Sequence, residues 1–119
     1  MYDHIGLKVK NLDASVRFYA QALAPLGHVV CSQYANGAGL GPKDAPALWL
    51  SPGSAQSSGT HVAFKAAARS QVDKFHAEGL KAGGRDNGAP GLRPDYGPSY
   101  YSAFLVDADG NNVEAVCVA

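Results

Sequence analysis

Two stretches of the chain alternate between apolar and polar residues, and each is followed by an apolar stripe with helical spacing. The first alternating stretch runs from His4 to Val9. Such alternation is typical of a half-buried β-strand. Apolar residues then recur at helical spacing over 12–23, with Asn11 or Asp13 as a possible N-cap, until Pro25 ends the pattern. A strand followed by a helix is therefore predicted at the start of the chain.

The same pattern returns 57 residues later. The residues 3–9 and 60–66 superpose in register, and identical residues continue along the offset, at His4/His61, Lys8/Lys65, Phe18/Phe75, Ala20/Ala77, Leu23/Leu80 and Gly27/Gly84. In the second copy Ser70 is the expected N-cap and Val72, Phe75 and Leu80 form the apolar stripe. The agreement indicates a duplicated structural unit.

Further strands are predicted after each helix. They cover 27–33, 38–40 and 45–50 in the first copy, and 85–87, 100–106 and 112–118 in the second. The expected fold class is α+β, with two βαβββ units forming curved, partly open mixed sheets around a shared cavity and the helices on the outside. One domain spans 1–119, with unit one at about 1–51, a Ser/Gly-rich linker at 52–59 and unit two at about 60–119.

Composition excludes several classes of partner. Ten Lys and Arg balance ten Asp and Glu, so nucleic acid and anionic membrane surfaces are poor candidates. No apolar run approaches the length of a membrane-spanning helix, and no apolar stretch of the signal-peptide kind is present. We expect a cytoplasmic protein in which Cys31 and Cys117 are reduced, apolar core thiols.

Strand parity places two histidines in equivalent positions. Because Ile5 and Val62 must face the helices, His4 and His61 face the other way. Under twofold symmetry between the units the two imidazoles converge, which suits a metal ion. Glu114 is an acid within an otherwise apolar strand and requires a cation or strong hydrogen bonds. The alternative is that both histidines are ordinary strand residues and that Glu114 is solvated.

A Pro/Gly-rich segment at 88–98 carries Arg93 and Tyr96, which makes it look like a shaped surface loop. It accounts for most of the extra length of unit two. Arg offers a planar fork suited to a carboxylate or phosphate, so the loop is expected to orient an anionic or oxygen-rich substrate. A solvated Arg93 and a loop-packing Tyr96 are the alternatives.

The segments DHIGLKVKNLDASVRFYAQALAPLG, THVAF and DADGNNVEAV resemble the vicinal oxygen chelate superfamily, which includes glyoxalase I, bleomycin-resistance proteins and extradiol dioxygenases. The resemblance covers essentially the whole chain. It implies His4, His61 and Glu114 as ligands of one divalent metal ion (Fe, Mn, Ni or Zn), with Glu114 also catalytic. The fourth ligand position of glyoxalase I-like enzymes falls at Trp49, which cannot ligate.

The same resemblance implies a metal-dependent enzyme of the lyase, isomerase or dioxygenase type, acting on a small oxygen-rich substrate chelated to the metal. Substrate-binding residues are then expected at Trp49, Arg93, Tyr96, Tyr100 and Tyr101, although parity requires one of the last two to face the helix. The alternative is a metal-free small-molecule binding protein of the bleomycin-resistance type. Many relatives of this length form homodimers, and exposed sheet edges favour a twofold dimer here too.

Overall fold

The computed structural model describes residues 2–53 and 60–118, and these contain two copies of one βαβββ unit. The elements of unit one are β1 (Ile5–Val9), α1 (Leu12–Leu23), β2 (Val29–Tyr34), β3 (Gly37–Gly41) and β4 (Leu48–Pro52), with a short 3₁₀ turn at Ala24–Leu26. Those of unit two are β5 (His61–Lys65), α2 (Arg69–Lys81), β6 (Arg85–Leu92), β7 (Tyr101–Val106) and β8 (Asn112–Cys117). The predicted duplication and the α+β class with two βαβββ units and open mixed sheets are confirmed; most of the predicted linker lies outside the described residues.

Each unit forms one four-stranded mixed sheet, in the order β1-β4-β3-β2 or β5-β8-β7-β6. The first and last strands of a unit are parallel neighbours, whereas the other pairs are antiparallel. The last strand of each unit therefore lies beside its first strand. This adjacency brings the turn before β8 and the start of β5 together.

The local helix signals are partly confirmed. Asn11 caps α1, since its side chain accepts a hydrogen bond from Ala14 N at 3.0 Å. The predicted cap Ser70 is wrong, because α2 begins at Arg69, two residues earlier than that cap requires, and its N-cap is Ala68, which has no side-chain hydrogen bond. Gln71 closes this end instead by accepting from Ala67 N at 2.7 Å.

Strand β6 is much longer than the sequence predicted. It runs from Arg85 to Leu92 and pairs with β7 through register shifts around Gly88 and Gly91. These irregularities are β-bulges, which glycine accommodates because it tolerates unusual backbone angles; Gly88 has φ +152°. Residues 88–92 of the predicted loop at 88–98 are therefore strand, and the remaining loop starts at Arg93.

The helices occupy a different place from the expected one. α1 and α2 contact each other, with the Gly79 backbone of α2 against Ala22 of α1, and apolar residues of both sheets join them in one buried core. In this chain the helices thus lie between the sheets, because each sheet has its apolar face turned inward. β1 and β5 belong to separate sheets, so the first strands do not pair within the described residues.

A buried hydrogen-bond network joins the two units at the turn before β8. Tyr19 of α1 donates to Asp107 Oδ2 at 2.5 Å, and Asp107 Oδ1 accepts from the backbone of Asp109 and Asn111 at 2.9 and 2.8 Å. Asp109 in turn accepts from Lys10 N at 2.9 Å. The polar sequence of this turn is therefore structural and fixes where β8 begins.

Replacement of Tyr19 is expected to change the alkaline stability of the protein. Burial and the neighbouring Asp107 carboxylate raise the pKa of the Tyr19 phenol well above its ordinary value of 10.0. A raised folded-state pKa gives a contribution that is fully present below about pH 10 and is lost as the pH rises further. The free energy of unfolding of a Tyr19→Phe variant should therefore fall less steeply between pH 10 and 12 than that of the parent. An equal slope in denaturant titrations would contradict this, and Tyr34→Phe at an exposed site is the control.

Candidate functional site

The outward face of the unit-two sheet brings His61 and Glu114 together. His61 begins β5 and Glu114 lies in the middle of the adjacent parallel strand β8, opposite Ala63. His61 Nε2 is 3.0 Å from Glu114 Oε1. The Glu114 side chain is only 4% exposed, so its carboxylate needs strong partners. Two of the three predicted ligands are therefore neighbours in this structure.

The hydrogen bonds of His61 fix which ring nitrogen can act as a ligand. His61 Nδ1 is 3.2 Å from the Asn112 carbonyl oxygen, which can only accept, so Nδ1 carries a proton. A neutral ring then directs its Nε2 lone pair at the Glu114 oxygen. His61 Nε2 and Glu114 Oε1 would then be two acceptors only 3.0 Å apart. Such a pair requires either a second proton on the imidazole ring or a cation that both atoms contact. A backbone carbonyl holding the far nitrogen is also the usual support of a metal-binding histidine.

Tyr100 supports the other oxygen of Glu114. Its hydroxyl donates to Glu114 Oε2 from the end of the loop that follows β6. Burial and the Glu114 carboxylate raise the pKa of Tyr100 to about 12, so the phenol remains a donor at neutral pH. Tyr96 packs edge-on against Tyr100 with ring centroids 5.3 Å apart. Glu114 Oε1 is thereby left as the oxygen that faces the imidazole.

Phe104 forms the apolar floor of the site. Its ring stacks on His61 with centroids 6.4 Å apart, and the Arg93 guanidinium lies 5.5 Å from its centroid. Arg93 Nη2 donates to the Ala89 carbonyl at 2.6 Å, and this is the one hydrogen bond of the guanidinium among the residues described. The β6 bulge makes room for this side chain, since a Cβ at Gly88 or Gly91 would lie 3.3 Å from the guanidinium.

These side chains border an open pocket of about 400 Å³, lined by His61, Tyr96, Tyr100, Phe104, Asn112 and Glu114. It contains an imidazole, a carboxylate and a phenol over an aromatic floor, with a guanidinium at its edge. A small molecule with several oxygens fits this chemistry. The Arg93 guanidinium reaches this edge through its contact with the Phe104 ring and is not part of the pocket lining.

His4 and Trp49 lie on unit one and are not brought to this pocket. His4 Nδ1 contacts Asp3 at 2.7 Å, and its side chain is more than half exposed. Trp49 lies in β4, in register with Gly6 of β1 and Gly39 of β3. No group of three or more His, Cys, Asp and Glu side chains suited to a metal ion occurs within residues 2–53 and 60–118. One chain by itself thus provides two of the three predicted ligands at one place.

Tyr101 faces away from the pocket. Alternation along β7 turns it to the helix side, where its hydroxyl donates to Asp73 of α2 at 2.6 Å. The Arg69 guanidinium lies over its ring, 5.1 Å from the centroid. Tyr101 was a predicted substrate contact, and the structure corrects this: Tyr100 is the tyrosine of the pair that reaches Glu114.

Sequence reasoning missed two features. His76 of α2 is buried, and its Nε2 contacts Asp86 of β6 at 2.8 Å. This contact lowers the pKa of Asp86. A second, apolar pocket of about 170 Å³ lies between the units and is lined by His4, His28 and Phe64 among others. In the sequence, the apolar residues that line this second pocket cannot be told apart from ordinary core residues.

Comparisons with known proteins give solved structures but no sequence family. No family model matches the chain, and no curated protein sequence does. A glyoxalase/bleomycin resistance protein from Albidiferax ferrireducens T118 superposes with a TM-score of 0.82 and 27% identity over 98% of each chain. A glyoxalase-related enzyme from Fulvimarina pelagi gives 0.73 and 20% identity, over 95% of this chain and 84% of that one.

The fosfomycin resistance protein FosX from Mesorhizobium loti has a TM-score of 0.73 at 16% identity, over 98% of this chain and 90% of its own. In the described part of the chain, neither helix has the length and apolarity needed to cross a bilayer. The structural neighbours confirm the resemblance carried by the motifs: the chain has the fold of the vicinal oxygen chelate superfamily of glyoxalase, bleomycin-resistance and dioxygenase proteins.

Proposed function

We propose that the protein is a divalent-metal-dependent enzyme whose metal centre is completed between two copies of the chain. His61 and Glu114 of one copy and His4 of a second copy supply the ligands of one Fe, Mn, Ni or Zn ion. The observation that carries this proposal is the contact of His61 Nε2 with Glu114 Oε1 at the edge of an open pocket.

The two donors fit an ion in both chemistry and spacing. Imidazole nitrogen and carboxylate oxygen suit all four of these metals. His61 and Glu114 are separated by 3.0 Å, while Asn112 and Tyr100 hold their outer atoms. An imidazole nitrogen and a carboxylate oxygen that lie this close together would be able to hold one ion between them. The pair is therefore oriented for a shared cation.

A second copy explains why the third donor is missing from the pocket. The helices lie between the two sheets. The side of the unit-one sheet on which His4 lies and the side of the unit-two sheet that carries His61 are therefore both turned outward. In a twofold dimer, unit one of each copy can cover unit two of the other. Such a dimer brings His4 to the pair from outside and covers the exposed edges of β1 and β5.

The side chains around the pair have separate roles in this proposal. The metal, when bound, supplies a Lewis acid that polarises a carbonyl or enolate oxygen of a chelated substrate. Tyr100 holds Glu114 in place, and Phe104 keeps water from one side of His61. Arg93 offers its remaining N–H groups to an anionic part of the substrate, in the lyase, isomerase or dioxygenase class of reaction.

Metal analysis and subunit mixing test this function. Protein purified without added metal should contain about one ion per chain, and His4→Ala and Glu114→Ala should each contain none. An equal mixture of the two variants, unfolded and refolded together, should regain about a quarter of an ion per chain, because half of its dimers then hold one intact site. Each variant refolded alone is the control. A metal-free parent, or no recovery on mixing, would overturn the proposal.

The second candidate function is a metal-free binding protein that holds a small molecule in the aromatic pocket. It is favoured by the lack of a three-ligand group within residues 2–53 and 60–118 of a single chain. In that case His61 is doubly protonated and forms an ion pair with Glu114. A parent protein that binds no added metal and remains monomeric in light scattering would support this candidate.

A further inference from the structure

The apolar pocket between the two units has no role in the proposed function. It has a volume of about 170 Å³, and both units contribute apolar residues to its lining, among them Ile5, Leu23, Leu48, Val62 and Phe64. The pocket lies where the layer of helices ends, since Leu23 is the last residue of α1 and the lining includes no described residue of α2. Beyond α1 the inward faces of the two sheets are therefore partly uncovered.

His28 adds a buried polar atom to this apolar lining. Its ring lies 6.2 Å from the ring of Phe64, and its Nδ1 is buried without a hydrogen-bond partner among the described residues. Burial lowers the pKa of His28, so the imidazole is neutral at pH 7 and has one donor and one acceptor nitrogen. A buried polar atom without a partner destabilises the protein, and a molecule that bonds to it removes this cost.

The charges around the pocket disfavour an anion. Tyr2, Asp3 and His4 also line the pocket, but all three are largely exposed, which places them at its mouth. No Lys or Arg is among the described residues of the lining. An anionic molecule would meet the Asp3 carboxylate at the mouth and would find no fixed positive charge inside. An uncharged molecule enters the apolar interior at a much lower desolvation cost.

We propose that this pocket is a second binding site, for an uncharged molecule that has an apolar body the size of one six-membered ring and a single hydroxyl group bonded to His28 Nδ1. A closed apolar cavity of roughly 150 Å³ holds one benzene molecule, so the size fits. A hydroxyl both donates and accepts, so it pairs with either tautomer of the imidazole. A second hydroxyl would lie unpaired among apolar side chains, which distinguishes this ligand from an oxygen-rich molecule that chelates a metal.

Phenol, benzene and benzoate are matched probes, since they share one ring and differ in carrying a hydroxyl, no polar group or a negative charge. Their binding at pH 7 is followed by NMR through the methyl resonances of Ile5, Leu48 and Val62. We expect phenol to saturate at one molecule per chain and benzene to bind about fivefold more weakly, because it makes no hydrogen bond. Benzoate should produce no saturable shift. The Nδ1 resonance of His28 should move with phenol and not with benzene.

Two variants separate the hydrogen bond from the space. His28→Leu removes the ring nitrogens, so phenol and benzene should bind it equally. Its Tm should equal or exceed that of the parent, because Nδ1 has no hydrogen bond to lose among the described residues. Ile5→Trp places a larger side chain at the partly exposed edge of the pocket and should weaken both probes at least about fivefold. Leu80→Trp, at a similarly exposed position of α2 outside the lining, is the matched control.

Several results would overturn this second site. Phenol that does not saturate, or that binds no better than benzene, would mean that His28 Nδ1 is not available to a ligand. A preference for phenol that persists in His28→Leu would place the hydroxyl elsewhere. The inference does not depend on the metal centre, so Glu114→Ala should bind phenol as the parent does. A loss of phenol binding in that variant would show that the probe occupies the outward pocket instead and would reject the second site.

Discussion

A Glu114→Gln variant is expected to bind divalent metal at least about 100-fold more weakly than the parent protein. The amide keeps the size of the side chain and can still accept from Tyr100, but it removes the negative charge beside His61. Loss of a supporting outer group already costs about 10- to 100-fold in metal affinity, so loss of a charged ligand should cost more. Competition against a chelator of known affinity measures the change.

Two conservative variants calibrate that result. Tyr100→Phe removes only the hydrogen bond to Glu114 Oε2 and should weaken metal binding by about tenfold. Tyr96→Phe removes a hydroxyl that makes no contact with Glu114 among the described residues and should have no effect. Metal affinity of Glu114→Gln equal to that of the parent would remove Glu114 from the ligand set.

The residues of the pocket were predictable as far as strand parity determines them. Alternation in β5 and β8 puts His61 and Glu114 on the same side of adjacent parallel strands, and the duplicated pattern indicates that these strands are equivalent to β1 and β4. Parity also requires Tyr100 and Tyr101 to face opposite ways. It could not decide which faces the pocket, because that depends on where β7 begins.

The relative placement of the two units could not be predicted in this way. Parity assigns His4 to the face of its own sheet, but the contact between α1 and α2 decides where that face points. Helix packing depends on side-chain shape, such as the close approach of Gly79 to Ala22, which leaves no periodic signal. The prediction that His4 and His61 come together within one chain is therefore wrong, although each residue lies at the start of the strand predicted for it.

Bulges explain the other main difference. A segment with two glycines and a proline between Asn87 and Leu92 predicts a loop from composition, yet it continues β6 through two register shifts. The bulges also determine where the Arg93 guanidinium lies, since it packs where Gly88 and Gly91 lack side chains. The position of the Arg93 guanidinium over Phe104 could therefore not be predicted from the sequence, whereas the presence of Arg93 near the site could.

Replacement of Asp107 by alanine is expected to lower the free energy of unfolding by about 3–5 kcal/mol. Asp107 is 3% exposed and accepts from the Tyr19 hydroxyl, from the backbone of Asp109 and Asn111, and from the Asn111 side chain. Its loss leaves four buried donors without their acceptor at the junction of the two units. A fall in Tm of more than about 10 °C should follow in a domain of this size.

Three comparisons separate the hydrogen bonds of Asp107 from its charge and its location. Asp107→Asn keeps one acceptor oxygen and should lower the free energy of unfolding by about half as much as Asp107→Ala. Tyr19→Phe removes the phenol hydroxyl, so no buried donor is left unpaired on Tyr19, and it should lower the free energy of unfolding by about 1 kcal/mol. Metal content of Asp107→Asn should match the parent, because the network does not include His61, Tyr100 or Glu114. A loss below about 1 kcal/mol for Asp107→Ala would mean that water or relaxation of the turn satisfies these donors, and that the two units are held together mainly by the contact between their helices.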